Sequence, residues 1–464
     1  MTSTERCQRL VSWFRQNGGH FHPDVELVEN EQFGLHVVAQ QPLEPPENTL
    51  DKEQQDGGAE EAAPGAIEIC STPVQLTISH LNASGSRPEL QTELKIPVFD
   101  NASSKLTGHV PESTVAYLVL IEQRLLGEQS FWYPYLSCLP TEAELTTPLY
   151  FSSDDLQWLL GTNLHTSSTD PSRSSVELRR EMWKGDWQQA CDALRALGVD
   201  VSQYTWEMFL WAASMFSSRC FPSNLTLPNR GEPFSLLYPV LDCLNHEFGA
   251  KATWFFKDGS FSLSVEKALK KGEQVFNNYA PKGNEELLLG YGFTLPGNSA
   301  DEVMVRLSKP PPPVHEVLKA TLPQHFQSGE WDSSEGMFFL RGPKHFTGGY
   351  SHGIECLRGV PFEMFRMLAE MMYFMSTSES DGAGDLPEES EQFGYVVEEI
   401  LHFLKQKLSL ILINDPKGLP VNRKQEFAKI YRDGQVEILK CIVGELDGYL
   451  KTVAVAEGEE PVTS

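Results

Sequence analysis

The sequence predicts an α+β protein in two parts: a β-rich domain carrying a helical insertion, then an all-helical C-terminal domain. Three observations lead there. Short runs that alternate or are rich in β-branched residues occupy both ends of the first 300 residues, for example "DVELVEN" (24–30) and "FSLSVE" (261–266). Between them lie apolar runs at helical spacing, such as "YTWEMFLWAASMFSSRCF" (204–221). After four consecutive prolines, Pro310 to Pro313, helical periodicity takes over. At 464 residues the chain is also too long for one ordinary core.

Taken in order, residues 5–40 read as a short helix, a Gly18-Gly19 turn and two strands, "DVELVEN" and "GLHVVAQ". Residues 51–66 are acidic, Gly/Ala-rich and free of aromatics, which predicts a disordered insert. "IEICSTPVQLTIS" (67–79) resumes strand chemistry. The helical insertion spans about 105–232; its first helix, from Ser113, is expected to use that serine as a cap. Aromatics crowd 130–140, "SFWYPYLSCLP", an expected packed and irregular wall. "ATWFF" (252–256) and "FSLSVE" read as a hairpin turning at Asp258-Gly259. "EQVFNNY" (273–279) reads as a further strand, and "GNEELLLGYGF" (283–293) opens as a helix and closes in an aromatic turn. The prolines mark the expected domain edge, with helices across 314–464.

Composition narrows the function. Asp and Glu number 64 against 37 Lys and Arg, a net charge of −27. Such a field repels nucleic acid, so no direct nucleic-acid binding is expected, and it favours basic protein partners. No apolar run reaches eighteen residues, so no membrane association is expected. The N-terminal stretch carries charges where a secretion signal would be apolar, which points to the cytoplasm, the nucleus or both. The eight cysteines form no CxxC, so buried free thiols and no metal site are expected.

Four segments carry the chemistry: "FGLHVVA" (33–39), "SSRCF" (217–221), "LYPVLDCLNH" (237–246) and "GEQVFNNYAPKGNEELLLGYGF" (272–293). Their order and wording resemble the SET-domain protein methyltransferases, in the branch of the plant Rubisco large-subunit lysine methyltransferase. The resemblance by motif covers residues 12–300, which would be the SET domain; 314–464 would be a substrate-binding domain. It implies a protein-lysine N-methyltransferase that uses S-adenosylmethionine and acts on a basic non-histone protein, such as a ribosomal protein or translation factor. The Asn245-His246 segment and the tyrosine segment would cross to hold the cofactor.

Residue by residue, the resemblance makes Tyr279 the catalytic phenol and a cofactor contact. It gives Gly34 and Leu35 a backbone approach to the cofactor, which a residue without Cβ permits. It gives Arg219 the cofactor's carboxylate, a group a guanidinium grips with two parallel hydrogen bonds. Asn245 and His246 would bind the methionine end and the adenine, and Tyr291 and Phe293 would pack the adenine. The chain departs from the family at His36, where a second glycine is usual, and at Ala280, where Gly or Asp is usual. Asp242 and Glu247 are read as structural or solvent-facing. Two other readings stay open: protein-histidine methylation, which a relative in this branch performs, and a non-catalytic SET-fold binding protein.

Overall fold

The computed structural model describes residues 2–46, 65–167, 174–227, 231–257, 259–327, 329–342, 349–350, 352–377, 382–384, 386, 388 and 390–456. The expected acidic insert at 51–66 falls outside these except for residues 65 and 66, as does Asp258 of the expected hairpin turn. The chain forms two compact units, 1–145 with 179–281 and 146–178 with 282–464.

The first unit begins with α1 (Ser3–Gln16), started by a capping box in which Thr2 and Glu5 bond each other's backbone N–H. Cys7, Leu10 and Phe14, three and four residues apart, turn inward. Strands β1 (His20–Phe21), β2 (Val25–Asn30), β3 (Gly34–Ala39) and β4 (Ile67–Pro73) follow. Then come helices α2 (Pro88–Leu94) and α3 (Glu112–Leu125), α4 (Ser175–Ala196), of which residues from Arg179 belong here, and α5 (Trp206–Arg219). The unit ends with β5 (Cys220–Pro222), β6 (Ser235–Leu237), β7 (Ala252–Lys257), β8 (Ser260–Val265) and β9 (Gln274–Val275).

The strands pair antiparallel in three sheets, ordered β1-β4-β8-β7, β2-β3-β9 and β5-β6. Helix α5 is buried on all sides from Phe209 to Phe216, as its nearly all-apolar run requires. Two local expectations are corrected. Helix α3 starts after Pro111 with no side-chain cap, so Ser113 sits inside its first turn; proline's fixed φ already suits that position. The strand expected at 273–279 pairs only at Gln274–Val275, because the chain then leaves β3 to meet residues 245–247.

The second unit pairs β10 (Val303–Arg306) antiparallel with β11 (Met337–Leu340). It adds helices α6 (Pro312–Thr321), α7 (Phe362–Thr377), α8 (Glu391–Ile413) and α9 (Arg423–Ala456). Phe365, Phe393, Leu404, Ile438 and Leu446 lie in its core. The expected helices are present, and β11 adds a strand to a region expected to be wholly helical. Its alternation, with Phe338 and Leu340 in and Phe339 out, runs for only four residues.

The unit boundary lies between Pro281 and Lys282, short of the prolines. Pro312 and Pro313 instead open α6, where a missing N–H costs nothing. Residues 146–178 join this unit through buried polar contacts. Arg432, 2% exposed, donates to the Leu160 carbonyl at 2.8 Å. Glu285 accepts from Tyr431 Oη and from Asn163 Nδ2, each at 2.9 Å.

Candidate active site

The glycine turn comes first. Gly34 has φ +63, a left-handed conformation that glycine adopts without strain. A Cβ built there would meet nothing within 4 Å, so the backbone conformation, and not crowding within the protein, is what calls for glycine. Leu35 follows, buried, in β3. His36, in the slot of the family's second glycine, is buried too. Its Nδ1 lies 2.8 Å from the Gly34 carbonyl and its ring packs edge-on to Phe33 at 5.5 Å. Thus His36 braces the turn from inside. The side-chain amide of Asn245 donates to the Phe33 carbonyl at 3.0 Å, tying the turn to the Asn-His segment.

Residues 245–247 and 277–279 then lock together. The Asn277 N–H donates to the Asn245 carbonyl at 2.8 Å, and the Glu247 N–H donates to the Asn277 carbonyl at 3.0 Å. This makes a parallel bridge of His246 with Asn277. The Asn277 side chain is fully buried; its Oδ1 accepts from Trp254 Nε1 and from the Asn278 N–H, both at 2.8 Å. Asn277 was not singled out from the sequence, where it is one half of an Asn-Asn pair. Its signal was its position two residues before the tyrosine.

Tyr279 is held at three points. Its N–H donates to His246 Nδ1 at 3.0 Å, so that nitrogen serves as an acceptor. Its ring stacks on His246, with centroids 5.0 Å apart and planes 19° from parallel. Its hydroxyl donates to the Leu244 carbonyl at 2.8 Å. With that proton committed, the phenol oxygen presents only lone pairs to anything that approaches it. The next residue, Ala280, has φ +71, which explains why glycine is usual there.

Arg219 closes α5 and its side chain is 17% exposed. Its Nη1 reaches Asp242 Oδ2 at 3.3 Å and the Asp242 carbonyl at 3.4 Å. Burial works against the guanidinium's charge, yet Asp242 beside it keeps its pKa above the ordinary value. Asp242, read as structural or solvent-facing, takes the structural place: its side chain is fully buried. Burial pushes its pKa up while Arg219 pulls it back. The Tyr135 hydroxyl donates to the same Oδ2 at 2.6 Å. Glu247 is exposed, as expected.

The first unit therefore brings together Gly34, Leu35, Arg219, Asn245, His246 and Tyr279. Tyr291 and Phe293 belong to the second unit. They flank Gly292, at φ +82, where a short π-helical turn ends, and their ring centroids are 6.2 Å apart. The Gly292 carbonyl accepts from Thr146 Oγ1 at 2.5 Å.

No protein-family model matches the chain. It is 29% identical over 452 residues to ribosomal lysine N-methyltransferase set10 of Schizosaccharomyces pombe, covering 96% of this chain and 73% of that protein. It is 24% identical over 356 residues to ribosomal lysine N-methyltransferase 1 of Saccharomyces cerevisiae, covering 69% of this chain and 60% of that one. Among solved structures it is similar to the SET domain of LSMT bound to lysine and AdoHcy. That match has a TM-score of 0.67 at 17% identity, over 98% of this chain and 93% of the other, and speaks for the fold. Motif order, alignment along nearly the whole chain and fold agree: the chain has the SET-domain fold of LSMT and is similar along nearly its whole length to a ribosomal lysine N-methyltransferase.

Proposed function

We propose that the protein is an S-adenosylmethionine-dependent protein-lysine N-methyltransferase acting on a basic ribosomal protein, in the cytoplasm, the nucleus or both. The observation that carries this is the Tyr279 hydroxyl, fixed on the Leu244 carbonyl at 2.8 Å directly before Asn245. The site suits the cofactor. Arg219 is a partly exposed cation with only its Nη1 engaged among the described residues, so part of its fork remains for a carboxylate. Asn245 spends one side-chain N–H on Phe33 and its backbone carbonyl on Asn277; among the described residues this leaves its side-chain oxygen and second amide N–H to bind. S-adenosylmethionine supplies, when bound, a methyl group on a cationic sulfur.

The chain's residues then have two tasks. The first is to admit lysine as a neutral amine. Free lysine has a pKa of about 10.4, and an apolar site disfavours its charged form. The second is alignment, which is worth several kcal/mol of a barrier. The lone pairs of the Tyr279 oxygen accept an N–H of the amine and so aim its free electron pair. Tyr291 and Phe293 are assigned to the adenine by their motif alone. The names of the two yeast relatives and the charge of −27 support a basic ribosomal substrate.

The test is labelled methyl transfer into purified ribosomal proteins, followed by residue-level mass spectrometry. Methyl-lysine is expected. Methyl-histidine would move the assignment to a protein-histidine methyltransferase, and cofactor binding without transfer would leave a SET-fold binding protein.

A further inference from the structure

Tyr135 sits in the helical insertion, more than a hundred residues before the segments that carry the chemistry of Asn245 and Tyr279. Its side chain is fully buried, and burial raises its pKa well above the ordinary phenol value, so it remains a proton donor. Its hydroxyl donates to Asp242 Oδ2 at 2.6 Å. The other contacts to that carboxylate are longer: Arg219 Nη1 at 3.3 Å and the Cys243 thiol at 3.6 Å. A buried carboxylate stays charged only while hydrogen bonds and a cation offset its lost hydration. The Tyr135 bond is the shortest of the three and charge-assisted, and it adds to the charge of Arg219, the larger influence keeping Asp242 ionised.

We propose that Tyr135 is a positioning residue for the cofactor's carboxylate: by holding Asp242 in place and ionised, it fixes the guanidinium of Arg219 against which that carboxylate binds. This rests on the role given to Arg219 under the proposed function. Without the hydroxyl, Asp242 keeps Arg219 and the Cys243 thiol, both at longer distance, and its buried charge is held less firmly in place and ionised. A neutral Asp242 no longer pins Arg219. The consequence is confined to ligands that carry a carboxylate, which separates positioning from a general loss of structure.

The experiment is calorimetric titration of wild type and Tyr135→Phe with two ligands, S-adenosylhomocysteine and methylthioadenosine. The second has the adenosine and sulfur but no carboxylate. Tyr135→Phe is expected to weaken S-adenosylhomocysteine about tenfold, the scale of one hydrogen bond to a charged group. Methylthioadenosine binding is expected to stay as in wild type. An equal loss for both ligands, or no loss for either, overturns the inference. Should Tyr135→Phe fail to fold, Asp242→Asn serves instead, because it imitates the neutral carboxyl; the same selective loss is expected, and its absence overturns the inference. Failure of wild type to bind S-adenosylhomocysteine at all overturns the cofactor reading, and the inference with it.

Discussion

At the scale of single residues, buried polar groups set how the first unit responds to pH. His80 is 1% exposed, with Glu112 at 3.3 Å from its Nε2, Arg87 also acting on it and Phe234 edge-on at 4.7 Å. Burial pushes its pKa down to about 4, Glu112 pulls it up and Arg87 presses it down. The folded protein thus holds His80 neutral where the unfolded chain would protonate it. Its contribution is present in full above about pH 6.5 and is lost as pH falls towards 4. Over that window the loss amounts to about 2–3 kcal/mol. Urea unfolding at pH 7 and pH 4.5 should show a smaller drop for His80→Gln than for wild type. Equal drops would mean that His80 is not held neutral. At the same scale, Asn245, His246 and Tyr279 were legible because their types and order match a known motif. Asp242 and Tyr135 were not legible, since pattern shows neither the burial of the one nor its pairing with a residue 107 positions away.

At the scale of elements, the strongest local signals matched the strongest packing constraints. Helix α5 is largely apolar and is buried from Phe209 to Phe216, and β7–β8 pair along their whole length. Weak signals gave weaker readings. Strand β11 is four residues long, and the four prolines read as a domain edge where two of them open α6. The grouping of 146–178 with 282–464 was invisible in the sequence, because it depends on single long-range bonds. Arg432 carries several of them, with donors to the Leu160, Trp158 and Ile411 carbonyls and to Asp415. Arg432→Met would leave buried carbonyls without donors, at a cost of about 3 kcal/mol or more. A lowered urea midpoint is expected for this unit, and an unchanged midpoint would show that those bonds contribute nothing net.

At the scale of the whole molecule, the −27 charge is a long-range field and not a feature of the site. Such a field acts on encounter with a basic substrate and is screened by salt. Raising the ionic strength should therefore raise KM for a basic protein substrate several-fold while kcat changes little. A KM indifferent to salt would remove charge from substrate choice. The central claim lies deeper: the crossing of 245–247 with 277–279 exists to fix the Tyr279 oxygen where an amine arrives. Its most direct test is the rate of labelled methyl transfer by Tyr279→Phe beside wild type, both saturated with S-adenosylmethionine. A fall of about 100-fold, the usual loss when one oriented polar group is removed from a transition state, is the predicted result. A rate equal to wild type would contradict it.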